Sequence, residues 1–181
     1  MKMEQGRPEN AEDRLPREKR TYDFLDSLGI RYLRVDHDAA VTMEACRAID
    51  EALEVTMCKN LFLCNRQKTE FFLLLMPGDK KFKTKELSAQ IGKARLSFAE
   101  PADMLRHLDI EPGAVSVMGL MNDREGAVTL LVDADVLQEE YMGCHPCVPT
   151  SSLKIRLKDL TEVFLPAVKH GFQTVELKGE E

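Results

Sequence analysis

Two short apolar runs constrain the fold of this chain more than any other feature. They extend from Cys58 to Cys64 and from Phe71 to Met76, and the polar stretch Asn65-Arg66-Gln67-Lys68-Thr69 joins them. Short β-rich runs separated by a few turn-forming residues are typical of a β-hairpin. Neither run is long enough to cross a lipid bilayer. The sequence therefore predicts at least one antiparallel strand pair in a globular protein.

The remaining segments alternate between helical and strand-like spacing. Helices are predicted over 17–28, 42–53, 84–91, 101–108 and 158–168, and strands over 30–35, 127–132, 152–157 and 172–177. Residues 122–126 have the composition of a second hairpin turn leading into the strand 127–132. Because hairpins favour antiparallel pairing, we predict an α+β fold with a mixed, largely antiparallel sheet rather than a doubly wound one.

Length and charge limit the classes of protein that this chain can belong to. Its 181 residues suit one domain, over 17–181, after a polar and flexible N-terminal segment, 1–16. Residues 1–20 do not resemble a signal peptide, so we expect a cytoplasmic protein.

The charge is unevenly distributed along the chain. It totals −6, but residues 56–95 contain nine basic and three acidic residues, which leaves +6 there and −12 elsewhere. This region is either a solvated surface or a site for a phosphate-bearing ligand.

The segment Cys144-His145-Pro146-Cys147 has three interpretations. The two cysteines could form a redox pair, although no helix is predicted to begin there as in thioredoxin-type sites. They could bind a metal ion, although a second close pair of ligands is missing from the sequence. Alternatively, His145 could belong to an enzyme site and the cysteines could be incidental neighbours.

Lys59 is the clearest polar residue inside an apolar strand. It lies within Met57-Cys58-Lys59-Asn60-Leu61-Phe62-Leu63, where its side chain could point to water or reach into a cleft. The sequence contains no P-loop, dinucleotide-binding glycine motif or nucleophile elbow.

Five short motifs, in order, resemble the YbaK-like editing-domain family, the free-standing relatives of the prolyl-tRNA synthetase editing domain. The motifs are Cys58-Lys59-Asn60-Leu61-Phe62-Leu63, Arg95-Leu96-Ser97-Phe98-Ala99, Pro112-Gly113-Ala114-Val115-Ser116, Gly119-Leu120-Met121-Asn122-Asp123 and His145-Pro146. Their order and spacing hold over 21–177. Each motif is weak alone, but five in the correct order are specific.

The resemblance implies a barrel-like sheet surrounded by helices, with the site in a groove along one face. It also implies a hydrolase, an aminoacyl-tRNA deacylase that removes alanine from Ala-tRNA(Pro) in trans and so protects translation fidelity. The implied partners are the 3′ acceptor end of aminoacyl-tRNA and prolyl-tRNA synthetase, with no DNA or membrane partner. The family is thought to use the substrate's own 2′-hydroxyl and no metal or other cofactor.

The resemblance also implies roles for individual residues. Lys59 would be the essential cation near the terminal adenosine or the ester, and His145 would position the substrate or the attacking water. The implied substrate-binding residues are Asn60, Gly113, Ser116, Gly119, Asn122 and Pro146.

A pocket for alanine must exclude proline, because a synthetase cannot reject the smaller amino acid by size alone. Val41, Met43, Val115 and Met118 are candidate walls for this pocket, and ordinary core positions are the alternative for each.

This chain departs from the family pattern in two loops. Val117-Met118 replaces the usual Pro-Phe, and Pro149 stands where the family carries Asn. These differences leave two alternatives open. The pocket could accept another amino acid, or the protein could bind aminoacyl-tRNA or a synthetase without efficient hydrolysis. A thiol redox protein remains the third possibility.

Overall fold

Strands in two sheets and the helices around them make up the fold. The computed structural model describes residues 1–40 and 42–179. The strands are β1 (Met3–Gln5), β2 (Tyr32–Asp36), β3 (Cys58–Cys64), β4 (Phe71–Pro77), β5 (Ser97–Phe98), β6 (Val128–Asp133), β7 (Tyr141–Cys144), β8 (Ser151–Arg156) and β9 (Gln173–Val175). The α-helices are α1 (Pro16–Ser27), α2 (Met43–Leu53), α3 (Thr84–Gln90), α4 (Pro101–Leu108), α5 (Ala134–Leu137), α6 (Leu157–Asp159) and α7 (Leu165–Ala167). A π-helical turn, Leu160–Phe164, joins the last two, and 3₁₀ turns occupy Ala11–Asp13 and Val117–Asn122.

Local sequence signals account for most of these helix ends. Thr42 caps α2 by accepting a hydrogen bond from the backbone N–H of Ala45 at 3.1 Å. Pro16 begins α1, and Gly29, with φ of +71°, follows its last turn. The predictions of helices 17–28, 42–53, 84–91 and 101–108 are thereby confirmed to within about one residue.

The strands form a four-stranded antiparallel sheet in the order β1-β2-β8-β7 and a five-stranded mixed sheet in the order β5-β3-β4-β6-β9. The predicted hairpin is confirmed, because β3 pairs antiparallel with β4. The predicted second hairpin is wrong. Strand β6 pairs parallel with β4, with Val128 opposite Phe71, because the 3₁₀ turn before it does not return the chain to a neighbouring antiparallel strand.

The fold class is confirmed as α+β with a mixed, largely antiparallel arrangement of strands. Barrel closure is not part of it. Among the described residues, one isolated parallel bridge, between Met57 and Gly143, joins the two sheets.

Alternation along β3 assigns its side chains to two different apolar clusters. Phe62 and Cys64 face the main core between the two sheets. Leu61 and Leu63 face a second cluster on the outer side of the five-stranded sheet, covered by Leu87 of α3. A third cluster lies beneath α2, on the outer side of the four-stranded sheet, and Met57 packs against it. Met57 and Leu61 therefore share the outer face of β3.

Residues 1–16 contain more regular structure than their polar composition predicts. Strand β1 pairs with β2 over Met3↔Val35, and Ala11 is buried in the main core. The Arg34 side chain, 1% exposed, donates a hydrogen bond to the carbonyl of Gly6. A buried guanidinium on β2 thus attaches this segment to the sheet, an interaction that local composition does not reveal.

Candidate functional site

The two sheets approach each other at the bridge between Met57, just before β3, and Gly143 of β7. The two backbones come close at this bridge, because a Cβ at position 143 would lie 3.2 Å from the Met57 Cα. Lys59 and His145 each follow this bridged pair by two residues, on strands that run in the same direction. Both therefore lie along the line between the two sheets, which we call the inter-sheet groove, and alternation directs both side chains to its outer side.

His145 is held in one orientation at this groove. Its Nδ1 lies 2.8 Å from the carbonyl oxygen of Ser151, and a carbonyl can only accept, so Nδ1 carries the proton. Burial lowers the pKa of the imidazole, although the Ser151 carbonyl opposes this shift. The ring is therefore neutral at pH 7, and Nε2 has a lone pair with no hydrogen-bond partner in the described structure.

His37 is a neighbour of this site that the sequence analysis missed. Its Nε2 lies 2.8 Å from the Ser152 hydroxyl, and its ring centroid is 6.3 Å from that of His145. Ser152 is fully buried between the two imidazoles. No motif marks His37, which immediately follows β2, and only the pairing of β2 with β8 brings it to the groove.

Lys59 is half-buried on the outer face of β3. Its ammonium donates a hydrogen bond to the carbonyl of Lys80, which lies in the turn just after the end of β4. An ammonium has three N–H donors, so two remain for a ligand. Within the described residues, no hydrogen bond or ion pair joins Lys59 to His145, although both flank the inter-sheet groove.

Asn60 points to the opposite face of β3 and supports the neighbouring loop. Its Oδ1 accepts the backbone N–H of Val117 at 2.9 Å, while the buried Ser116 hydroxyl accepts the N–H of Met118 at 3.1 Å. Gly119 has no space for a side chain, because an added Cβ would lie 2.7 Å from Cδ1 of Ile110. These three predicted substrate-binding residues together hold the 113–119 loop against the core.

The other predicted substrate-binding residues lie at the margins of this arrangement. The Asn122 amide donates to the carbonyl of Leu108 at 2.8 Å, on the side of the loop that faces α4. Gly113 lies in an exposed turn with φ of +91°. Pro146 is buried, and its carbonyl accepts a hydrogen bond from Thr21 of α1 at 3.5 Å.

A polar network on the inner side of the four-stranded sheet braces the strand that holds His145. Ser151 donates through its hydroxyl to Asp36 at 2.7 Å, and Arg34 pairs with the same carboxylate at 2.6 Å. Burial alone would raise the pKa of Asp36, but hydrogen bonds from Arg14 and Ser151 hold it below its usual range. The carboxylate is therefore charged, and it restrains the residue whose carbonyl orients His145.

The family model of the aminoacyl-tRNA editing domain matches residues 37–163, which include both sides of the inter-sheet groove. The chain belongs to this family. The family inferred from the sequence motifs is therefore confirmed. Membership in it is consistent with the predicted aminoacyl-tRNA deacylase.

Relatives of this editing domain support the assignment. A prolyl-tRNA editing protein, ProX, from Acetoanaerobium sticklandii is 29% identical over 153 residues, covering 84% of this chain and 93% of that protein. A prolyl-tRNA synthetase associated domain-containing protein from Danio rerio is 29% identical and covers 84% of this chain and 83% of its own length. A solved structure described as a candidate trans-editing enzyme for prolyl tRNA synthetase shares the fold, with a TM-score of 0.68, 17% identity and coverage of 91% of this chain and 98% of that one.

The candidate walls of an alanine pocket differ in their environments. Met43, on the first turn of α2, is 75% exposed, and Val115 is half-buried. Met118 is fully buried in the main core, so its alternative role as an ordinary core residue fits its position. Val41 lies outside the described residues.

The two cysteines beside His145 have the properties of core residues. All five cysteines lie in the described residues and are free thiols, and Cys144 and Cys147 are fully buried. Burial raises the pKa of Cys147 to about 12 and raises that of Cys144 as well. Because thiolates are the reactive and metal-binding form, neither the redox nor the metal interpretation is favoured.

A separate cleft of about 840 Å³ lies near the start of β3, between α2, α5 and β7. Its lining is mainly acidic and includes Asp50, Glu54 and Glu139, but neither Lys59 nor His145. Such a surface repels phosphates, so we do not assign it to the tRNA backbone. In the described part of the chain, no helix combines the length and apolarity needed to cross a membrane.

Proposed function

We propose that this editing domain hydrolyses the ester of mischarged aminoacyl-tRNA in trans, and that Ala-tRNA(Pro) is its substrate. The observation that carries the proposal is a neutral His145 with an unoccupied Nε2, on the same groove as the ammonium of Lys59. Family membership supports the reaction class. The proposed partners are the acceptor end of the tRNA and prolyl-tRNA synthetase, and the proposed location is the cytoplasm.

In the proposed reaction, a water molecule attacks the ester carbonyl of the aminoacyl group. His145 Nε2 positions this water and accepts its proton, which a neutral imidazole with a lowered pKa can do at pH 7. The bond between the carbonyl carbon and the ribose oxygen then breaks, and His145 gives the proton that it accepted to the ribose oxygen. The products are the free amino acid and uncharged tRNA, and no other reactant is consumed.

Lys59 is the proposed electrostatic partner in this step. Its two remaining N–H donors can contact a phosphate or the oxygen on which negative charge develops, while the Lys80 carbonyl fixes the third. An ammonium acts here as a compact charge, so Lys59→Arg is not a conservative substitution.

Alanine is the proposed amino acid because one relative is named a prolyl-tRNA editing protein and because alanine escapes size exclusion by a proline site. Asn60 and Ser116 are proposed to act indirectly, by holding the 113–119 loop against the core on the face of β3 opposite Lys59.

The test is a deacylation panel with purified protein and tRNAs carrying Ala, Cys, Ser or Pro. We expect hydrolysis of Ala-tRNA(Pro), sparing of Pro-tRNA(Pro), and a strong loss of kcat/KM in Lys59→Ala. Full activity of Lys59→Ala would refute the role of this lysine. Binding of aminoacyl-tRNA without turnover of any of the four would instead identify a module that binds without hydrolysis.

A further inference from the structure

A buried hydroxyl lies between the imidazole rings of His37 and His145. Ser152 of β8 is fully buried, and its Oγ lies 2.8 Å from Nε2 of His37 and 3.4 Å from Nδ1 of His145. A buried hydroxyl is hydrogen-bonded in nearly all proteins, because burial without a partner costs free energy. The other contacts of the two rings decide which of them receives the Ser152 hydrogen.

Both rings carry a proton on Nδ1. In His37 this nitrogen lies 2.7 Å from the carbonyl oxygen of Asp38, and in His145 it lies 2.8 Å from the carbonyl oxygen of Ser151. A carbonyl only accepts, so each Nδ1 donates, and Nε2 of the neutral His37 ring keeps a lone pair. The Ser152 hydroxyl therefore donates to His37. Its oxygen, with lone pairs to spare, faces the Nδ1–H of His145.

The pairing of the strands does not depend on this side-chain contact. The backbone N–H of His37 donates to the carbonyl of Thr150 at 3.0 Å, which continues the pairing of β2 with β8. This backbone bond holds the end of β2 whichever side chain stands at position 37. What the imidazole adds is the orientation of the Ser152 hydroxyl.

We propose that His37 is a positioning residue for deacylation, which accepts the Ser152 hydrogen and so turns the Ser152 oxygen towards His145. This inference rests on the proposed function, in which His145 Nε2 takes a proton from water and the ring becomes a cation. Two dipoles then stabilise the cation, because the Ser151 carbonyl and the Ser152 hydroxyl already direct their oxygens at Nδ1. In the part of the chain that the structure describes, no carboxylate pairs with either ring.

The proposed role involves no transfer of a proton along this chain of contacts. His145 keeps its Nδ1 proton throughout, and Ser152 keeps its own hydrogen. The proton taken up by Nε2 leaves from Nε2 to the ribose oxygen. His37 therefore acts by orienting one dipole, and it has no contact with the reacting atoms.

Steady-state deacylation of Ala-tRNA(Pro) by the full chain tests this role. His37→Leu fills a similar volume without a nitrogen and should lower kcat about tenfold, the equivalent of one hydrogen bond to a charged group. Ser152→Ala should cause a loss of similar size. KM should not change in either variant, because the stabilised charge exists only in the transition state. Since the two residues act through one contact, the double variant should be no slower than either single one.

Two further variants separate positioning from a loss of stability. His37→Gln can place an amide oxygen near the position of Nε2, where it accepts the Ser152 hydrogen, so it should restore kcat. Ser88→Ala is the matched control for a lost buried hydroxyl. Ser88 is 4% exposed and donates to the carbonyl of Thr84 at 2.7 Å, within the helix α3 that covers the other sheet. Ser88→Ala should lower the melting temperature and keep the wild-type kcat.

NMR spectra that correlate the imidazole protons with the ring nitrogens test the arrangement without an assay of catalysis. In alkaline buffer, where imidazoles are neutral, both rings of the wild type should show the Nδ1–H tautomer. An Nε2–H tautomer of His37 would overturn the proposal, because that ring would donate to Ser152. Wild-type kcat in His37→Leu, or additive losses in the double variant, would refute the role of His37 alone. A wild type that hydrolyses no aminoacyl-tRNA would instead refute the proposed function, and this role with it.

Discussion

The strongest test of the site removes Nε2 from His145 and keeps the hydrogen bond between this side chain and the Ser151 carbonyl. In His145→Asn, the side-chain amide can still donate to the carbonyl of Ser151, which lies 2.8 Å from Nδ1. No atom then replaces Nε2 in the inter-sheet groove. Loss of a positioned general base costs about 10² to 10⁴ in kcat. At about 1.36 kcal/mol for each factor of ten, the barrier rises by roughly 2.7 to 5.4 kcal/mol.

The matched variant is His145→Ala, which loses both Nε2 and the bond to Ser151. It should show a similar loss of kcat and should also unfold about 2–4 °C lower, because one hydrogen bond contributes about 1 kcal/mol. The assay is single-turnover deacylation of Ala-tRNA(Pro), with thermal unfolding followed in parallel. Wild-type kcat in His145→Asn would refute the assignment of Nε2 as the base.

The pH profile supplies an independent check of the same residue. Burial lowers the pKa of His145 below its usual 6.5, and only the neutral ring can accept a proton. The fall in rate on the acid side should therefore be centred below pH 6.5, where the ring becomes protonated. The free energy of unfolding should change in the same direction, because the unfolded chain binds the proton more readily than the folded one. An acid limb centred above pH 6.5 would contradict this reasoning.

Three further predictions concern the residues around the site. Gly119→Ala should lower the melting temperature by roughly 2–12 °C, since its Cβ would lie 2.7 Å from Ile110 and overpacking costs about 1–3 kcal/mol; an unchanged melting curve would show that the loop can move. Asn60→Ala should lose both stability and activity, because it leaves the N–H of Val117 without an acceptor. Asn60→Asp keeps an acceptor oxygen and should retain stability. Equal unfolding free energies in the two variants would argue against this contact. Cys147 should resist alkylation at pH 8 in the native protein while the exposed Cys46 reacts, as mass spectrometry of tryptic peptides can show; rapid modification of native Cys147 would revive the redox interpretation.

The helices and the first hairpin could be predicted because their signals are local. Thr42 caps the helix that directly follows it, and the polar residues 65–69 allow only a short connection between β3 and β4. The direction of β6 could not be predicted in this way. Its partner, β4, is distant in the chain, and the turn before β6 has the composition of a hairpin without forming one.

The residues of the candidate site also divide into those with a local sequence signal and those without one. Lys59 and His145 were identifiable because each belongs to a short motif of the family. His37 and Asp36 carry no such signal, since they follow or end an ordinary strand and become relevant only when β2 pairs with β8. The opposite directions of Lys59 and Asn60 follow from strand alternation, but the cluster that each one faces depends on residues elsewhere in the chain.

Motifs and periodicity were enough to identify the family, the α+β class and the two residues on which the proposed chemistry depends, because both are properties of residues that are close in sequence. The position of Lys59 and His145 beside the same bridge depends on the pairing of Met57 with Gly143, which are far apart in the chain. The lowered pKa of His145 and the burial of Cys144 and Cys147 depend on tertiary packing as well. Burial and pairing depend on segments that are far apart in the chain, and solvent exclusion by those segments sets the chemistry of each side chain.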